Sequence, residues 1–447
     1  MFARLLVFCS CVFHVLGLSC YWNNKCTYTN YGSKTIYDDV RGDLRDTPEL
    51  EGCHPIGVWA LMRHGTRNPT DSNMEKIQHA VKFKDAIVMR NLTGDRGKLC
   101  AQDVSNLQMW SWDDSISSTP GYLTTNGYKE MYDLGSRFHQ RFSTLLPNIN
   151  WYEFRPTLEQ RTIKSAEAFI EGLNQGQWLF TDSNATDRDD VLRPYYYCAR
   201  HNIEVYNGQR STDEMNKYMD TLEFREMLHR LQNRSGLDER LTSSEAVALY
   251  DLCRFDRAFS STRSSPWCAL FTDRDLIILE YLNDIRHYYR NGYGSEINGK
   301  LGAPALKNLY ENFLSVVSND STSITGYFTH DSLMQMVYTA LQLFRDYPEV
   351  SGFERNEDRK WRTSFMTPFA ANFVAVLHKC PTRKQSELYQ VQFFINEKEY
   401  HLCNARSCNW KQFHEKFSRF LDINLDECNI DKEISPLQKL TFRNVTL

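Results

Sequence analysis

The 447-residue sequence contains no Cys-x-x-Cys pair and no His-Glu-x-x-His string, so zinc chemistry has no motif to start from. It also lacks an excess of one charge. Lys and Arg number 52 against 56 Asp and Glu, and a formal net charge of -4 excludes a polycation built for nucleic acid or acidic lipid. After the first twenty residues no apolar run is long enough to span a bilayer. Internal repeats, low-complexity tracts and long blocks of like charge are missing too. The C-terminal FRNVTL carries neither a retention tetrapeptide nor a hydrophobic anchor tail. No nucleic-acid partner and no stable membrane anchor are therefore expected, and any anion chemistry has to be local.

What is present reads as a globular, exported chain. Hydrophobic residues make up 41%, ample for a packed core, and the length suits one large domain with an insertion or two domains. Arg4 followed by the apolar stretch Leu5 to Leu18 predicts a secretory signal over residues 1–19, and so a protein that is secreted or held in the lumen of the secretory pathway. Of thirteen cysteines, Cys9 and Cys11 leave with that signal and the remaining eleven are odd in number. The expected local disulfides are Cys253 with Cys268 and Cys403 with Cys408. Five Asn-x-Ser/Thr sequons begin at Asn91, Asn184, Asn233, Asn319 and Asn444, usable for glycosylation only in an exported chain.

Residues 55–62, PIGVWALM, are apolar and strand-like and run straight into the string RHGTRNP from Arg63 to Pro69. A second strand is predicted from Asn150, followed by a helix over 158–173 that ends in a glycine-bearing turn. A third covers 323–329 and leads to a helix over 332–344. Strand, polar junction, helix, three times over, predicts an α/β fold with a mostly parallel central sheet flanked by helices. Between the second and third units the pattern changes. Met215, Tyr218, Met219 and Leu222, then Phe224, Met227, Leu228 and Leu231, recur at helical spacing. Thr242 and Glu245 form a capping box, and residues 275–294 read as a long helix closed by glycine. The expected division is a core of 20–181 and 302–447 with an inserted α-helical cap over 182–301. Residues 387–403 predict a hairpin turning near Asn396 and Glu397.

In an open α/β sheet, ligands bind outside the carboxyl ends of the strands. Three such junctions supply Arg63, His64 and Arg67, then Arg161, then His330 and Asp331. Guanidinium groups clamp phosphate in fork geometry, an imidazole can attack phosphorus, and a carboxylic acid can protonate a leaving oxygen. Taken alone, Arg161 reads as a surface ion pair and Asp331 as a helix N-cap. The R-H-G-x-R-x-P string is far more specific and carries most of the inference.

The RHGTRNP string with a distant His-Asp resembles the histidine acid phosphatase branch of the histidine phosphatases. Longer stretches resemble the multiple inositol polyphosphate phosphatases: SKTIYDDV, RHGTRNPT, RTIKSAEAFIEGL, SSPWCALFT and RTSFMTPFAANFVAVLHKC leading into VQFFINEK, in order from about Lys34 to Cys408. That resemblance implies the phosphoglycerate mutase-like α/β fold with a helical cap. It implies His64 as a nucleophile forming phosphohistidine, Arg63, Arg67, Arg161 and His330 as ligands of the transferred phosphate, and Asp331 as proton donor. The implied substrates are inositol polyphosphates, and small phosphorylated metabolites such as bisphosphoglycerate, with water as the second reactant. No metal or other cofactor is expected.

The inositol polyphosphate branch usually has His-Ala-Glu where this chain has His330-Asp331-Ser332. The His-Asp form is that of the ordinary acid phosphatases and many phytases, so a broad-specificity acid phosphatase is the alternative enzyme. A non-catalytic secreted anion-binding protein is a third reading. A polyphosphate site needs further Lys or Arg from the helical cap, for which Lys34 and Lys76 are candidates. His64 has to attack as neutral imidazole, and Asp331 has to begin protonated, through burial or a bound dianion, which predicts an acidic optimum.

Overall fold

The computed structural model describes residues 20–23, 29–94, 97–177, 179–181, 185–260, 264–381, 384 and 387–429. The expected signal, Cys26 and the sequons at Asn184 and Asn444 lie outside the described residues.

Seven strands form one sheet in the order β2-β3-β1-β4-β5-β6, with β7 also on β5. They are β1 (His54–Arg63), β2 (Trp151–Pro156), β3 (Ser323–Thr329), β4 (Asn372–Lys379), β5 (Tyr389–Ile395), β6 (Lys398–Tyr400) and β7 (Cys408–Asn409). β1 runs parallel to β3 from Gly57↔Ser323 to Arg63↔Thr329, and β3 runs parallel to β2. β4 is antiparallel to β1, and β5, β6 and β7 continue in antiparallel pairs. The α/β architecture is present, but the sheet is mixed rather than mostly parallel. Its parallel part is the β2-β3-β1 half, where helices make the crossovers. The C-terminal half meanders, since short turns can join only antiparallel strands. One of those turns is at Asn396 and Glu397, both at positive φ (50° and 61°), the backbone of a tight hairpin.

β1 is buried on both faces. Trp59 and Leu61 join the larger core with Tyr327, Phe373 and Leu377 and the apolar sides of the helices Ser243–Ala258, Asp273–Asn291 and Glu296–Ser318. Val58, Ala60 and Met62 join the opposite core with Phe154, Phe328 and Val374 and the helices Thr125–Arg141 and Gln160–Asn174. The result is three layers, helix on sheet on helix, with the parallel strand ends opening between them. From Pro194 to Ser318 the described elements are all helical. Capping boxes start two of these helices, at Thr242 with Glu245 and at Thr272 with Asp275.

Among the described residues five disulfides close the fold: Cys20–Cys100, Cys53–Cys380, Cys198–Cys428, Cys253–Cys268 and Cys403–Cys408. Bridges of this number belong to an oxidising compartment. No described helix is long and apolar enough to cross a membrane. Among the sequons, Asn233 and Asn319 are exposed. The Asn91 amide is engaged within the fold: its nitrogen donates to Ile87 O and Ser235 O, and its oxygen accepts from Leu99 N. A glycan there would break that network.

Candidate active site

The three parallel strands end side by side, and the chemistry-bearing residues follow their last positions. His64 N donates to Thr329 O at 3.0 Å and Arg63 N to Ala371 O at 2.7 Å, so the end of β1 is pinned from both neighbouring strands. Gly65 is needed for a close approach. A Cβ there would lie 2.3 Å from Gly127 O, on the helix Thr125–Arg141, and a Cβ on Gly127 would lie 2.0 Å from Thr66 O. The same helix supplies Glu130, whose carboxylate accepts from Thr66 N (2.7 Å) and Thr66 Oγ1 (2.9 Å). Ser165 Oγ accepts from Gly65 N. The loop after β1 is therefore held by backbone contact and by a buried acid.

Arg63 is buried at 1% exposure, its Nη1 donating to Ser33 O and Thr367 O and its guanidinium lying 4.6 Å over the Phe369 ring. Its Nη2 is 3.3 Å from Asp331 Oδ2. Arg67 donates to Asn68 O and has Phe255 beneath it. Burial, then Arg161 and Arg63, lower its pKa to about 9, a measure of how crowded with positive charge the space is. Arg161 sits on the first turn of the helix Gln160–Asn174, with Nη2 3.5 Å from His330 Nδ1. The buried Nε atoms of Arg63 and Arg161 find no acceptor among the described residues. A cradle with surplus donors and positive charge suits an oxyanion.

His64 Nδ1 lies 2.8 Å from Gly65 O. A carbonyl only accepts, so Nδ1 carries the hydrogen and the Nε2 lone pair is free. Burial first, then Arg63, Arg161, His330 and Arg67, hold the imidazole well below its ordinary range, so the ring is neutral. The His330 ring stands 5.5 Å away, centroid to centroid. His330 is the N-cap of the helix Asp331–Ala340, and Asp331 is its first residue rather than its cap. Burial raises the Asp331 carboxyl, but Arg63, Lys34 and His287 outweigh burial and keep it well below the usual carboxylate range. Among these cations Asp331 is ionised, so the proton expected on it has to come with an anion that quenches them.

All six residues expected from the sequence meet in this one place. Lys34 does too. It arrives from the N-terminal segment rather than from the helical cap, is 7% exposed, and donates to Ser33 Oγ at 2.9 Å between the rings of Phe255 and Phe369. Lys76 does not: it is exposed and lines a shallow cleft with Glu75, His79, Glu245 and Ala248. Glu130, Glu159 and Arg254 stand in no motif of the sequence and reach the site through tertiary packing. Among the described residues the one group with metal-ligand proximity is Cys20, Cys100 and Asp103, and its two thiols are spent in a disulfide.

Residues 56–396 match the sequence family described as the histidine phosphatase superfamily, branch 2. The chain belongs to that superfamily. It is a phosphatase, and Arg63, His64, Arg67, Arg161, His330 and Asp331 lie within the matched region. A curated relative, multiple inositol polyphosphate phosphatase 1 of Drosophila melanogaster, is 30% identical over 410 residues, covering 89% of this chain and 86% of that protein. Two solved structures share the fold. The phytase from D. castellii superposes with a TM-score of 0.72 at 16% identity, covering 97% of this chain and 96% of that one. The Bifidobacterium longum multiple inositol polyphosphate phosphatase, solved with inositol hexasulfate, gives 0.62 at 16% identity over 83% and 92%.

Proposed function

We propose that this histidine phosphatase is a secreted phosphomonoesterase that hydrolyses inositol polyphosphates, phytate-like substrates, through a phosphohistidine on His64. The observation that carries the reading is the anchoring of His64 Nδ1 on Gly65 O, which leaves a neutral Nε2 among Arg63, Arg67 and Arg161. Nε2 attacks phosphorus and the P–O bond to the leaving alcohol breaks, while Asp331 gives its proton to the departing oxygen. The guanidinium groups and His330 hold the equatorial oxygens, where charge is spread in the transition state. Water then attacks the phosphohistidine, Asp331 takes the water proton, and the P–N electrons return to Nε2. Water and the phosphorylated substrate are the only reactants.

Bound phosphate pairs with Arg63 and Lys34 and so lifts the Asp331 carboxyl from its depressed state, which makes the donor form available at acidic pH. Lys34 favours substrates with several phosphates. Its buried amine has no ion pair among the described residues, and burial holds its pKa well below the ordinary lysine range, so it gains charge as the phosphates of a polyphosphate bind beside it. The relatives named for inositol polyphosphates support the same class. The five disulfides support export. The helices gathered between residues 194 and 318 support treating 182–301 as a cap on a core of 20–181 and 302–447. A broad-specificity acid phosphatase is the second reading, favoured by an aspartate directly after His330.

The test is phosphate release from inositol hexakisphosphate and from an aryl phosphate, from about pH 3 to about pH 8, for wild type and His64→Ala. Preference for the inositol substrate with an inactive variant supports the proposal. Turnover of the aryl phosphate alone supports the second reading, and turnover of neither returns the chain to anion binding.

A further inference from the structure

Two imidazoles face the cradle, and the partners behind them differ in charge. Behind His64 stands a neutral carbonyl, Gly65 O. Behind His330 stands a carboxylate: Nε2 is 3.2 Å from Glu159 Oε2 and 3.2 Å from Thr157 Oγ1. The Thr157 hydroxyl gives its own proton to Glu159 Oε2 at 2.7 Å, so both neighbours of His330 Nε2 are acceptors. The ring hydrogen is therefore on Nε2, and Nδ1 is left beside Arg161 Nη2 at 3.5 Å. A neutral His330 presents a lone pair there, which suits a guanidinium N–H and repels a phosphate oxygen.

Glu159 occupies the N-cap of the helix Gln160–Asn174 but makes no cap hydrogen bond. Its side chain turns instead to His330 and to Arg193, whose Nη1 is 2.6 Å from Oε1. Burial raises this carboxyl, but His330, Arg193 and Thr157 together pull it far below its ordinary range, so it stays ionised. The other groups facing His330 are Arg161, His64 at the end of β1, and Asp331 on its own helix. Burial, then Arg161, hold the His330 ring down to about 4, so without a bound anion its form is neutral.

We infer that Glu159 is a positioning residue for phosphate binding: it holds the Nε2–H of His330 and stabilises the imidazolium that donates Nδ1–H to the transferred phosphate. The inference rests on the proposed assignment of His330 to that phosphate. The proton balance needs no outside acid. A phosphate monoanion gives its proton to Nδ1, the O–H bond breaks as the N–H bond forms, and an imidazolium is left beside a dianion, with Glu159 on its far side. Such backing by a carboxylate fixes ring orientation and raises basicity, as it does for histidines that bind metals. The two histidines are thus set apart by what stands behind each, a neutral nucleophile and a cationic ligand.

The experiment is a titration of histidine-¹⁵N-labelled protein with inorganic phosphate near pH 6, for wild type, Glu159→Gln and Thr157→Val. In wild type the His330 ring is expected to pass from singly to doubly protonated as phosphate binds. In Glu159→Gln it stays neutral, and both the phosphate Kd and the substrate KM rise about tenfold or more while kcat changes less than about threefold. Thr157→Val keeps the carboxylate and so keeps the imidazolium signature, with a smaller loss of affinity. A wild-type ring that remains neutral in the phosphate complex overturns the inference, as does a Glu159→Gln protein that binds phosphate like wild type. A wild type that binds no phosphate overturns the proposed function along with it.

Discussion

Replacing Glu130 with glutamine perturbs the loop that carries His64 while leaving every cradle residue in place. Burial raises the Glu130 carboxyl from its ordinary 4.5 to about 7, with the two Thr66 hydrogen bonds offsetting part of the cost. That gap corresponds to about 3 kcal/mol of preference for the neutral form on folding. Because the folded value lies above the unfolded one, this contribution to stability is whole below about pH 4.5 and is lost as pH rises through about 7. Glutamine does not titrate. The unfolding free energy of wild type minus that of Glu130→Gln should therefore fall by about 3 kcal/mol between about pH 4.5 and about pH 8. Urea unfolding under oxidising conditions, with the disulfides intact, measures it. A difference that is flat with pH, or that grows as pH rises, refutes the account of Glu130 as a buried acid that ionises at a cost.

Gly127→Ala places a Cβ 2.0 Å from Thr66 O, so backbone has to move; a loss of about 1–3 kcal/mol in unfolding free energy and a fall of at least about tenfold in kcat/KM are expected. Lys34→Met removes the buried amine beside Asp331 and should raise KM for inositol hexakisphosphate by about tenfold while changing that for an aryl phosphate less than about threefold. In a eukaryotic secretory host, Asn91→Gln should leave the glycan mass unchanged and lower stability by about 1–2 kcal/mol, because the Asn91 amide is committed to Ile87, Ser235 and Leu99. Asn233→Gln, at an exposed sequon, should lose one glycan by mass spectrometry.

Local features were legible in the sequence. Residues 55–62 mark β1, found at His54–Arg63, and 323–329 coincide with β3. Thr242 and Glu245 cap a helix, and Asn396 and Glu397 turn a hairpin, because caps and turns are decided by residues a few positions apart. What failed to show is long-range. β4 is buried along nearly its whole length, so its run of apolar residues has no period that tells strand from helix, and its antiparallel pairing with β1 makes the sheet mixed. Cys53 pairs with Cys380 across 327 residues, which spacing alone does not reveal. At the site, His64 and the cationic clamps were readable from a specific motif. The acids that set its electrostatics were not: Glu130 acts through Thr66, 64 residues away, and Glu159 through His330, 171 residues away. Asp331 was readable as a residue of the site, but its depressed resting state depends on Lys34 and Arg63 arriving from other segments.

The most direct test of the central claim is to trap the covalent intermediate. Wild type, His64→Ala and Asp331→Asn are mixed with an aryl phosphate, quenched in alkali where phosphohistidine survives, digested and examined by mass spectrometry. The account expects one phosphoryl group on the peptide that contains His64, none in His64→Ala, and accumulation in Asp331→Asn, where water is activated more slowly than the good leaving group departs. Phosphate release by wild type with no phosphoryl group on that peptide, or continued turnover by His64→Ala, would contradict it.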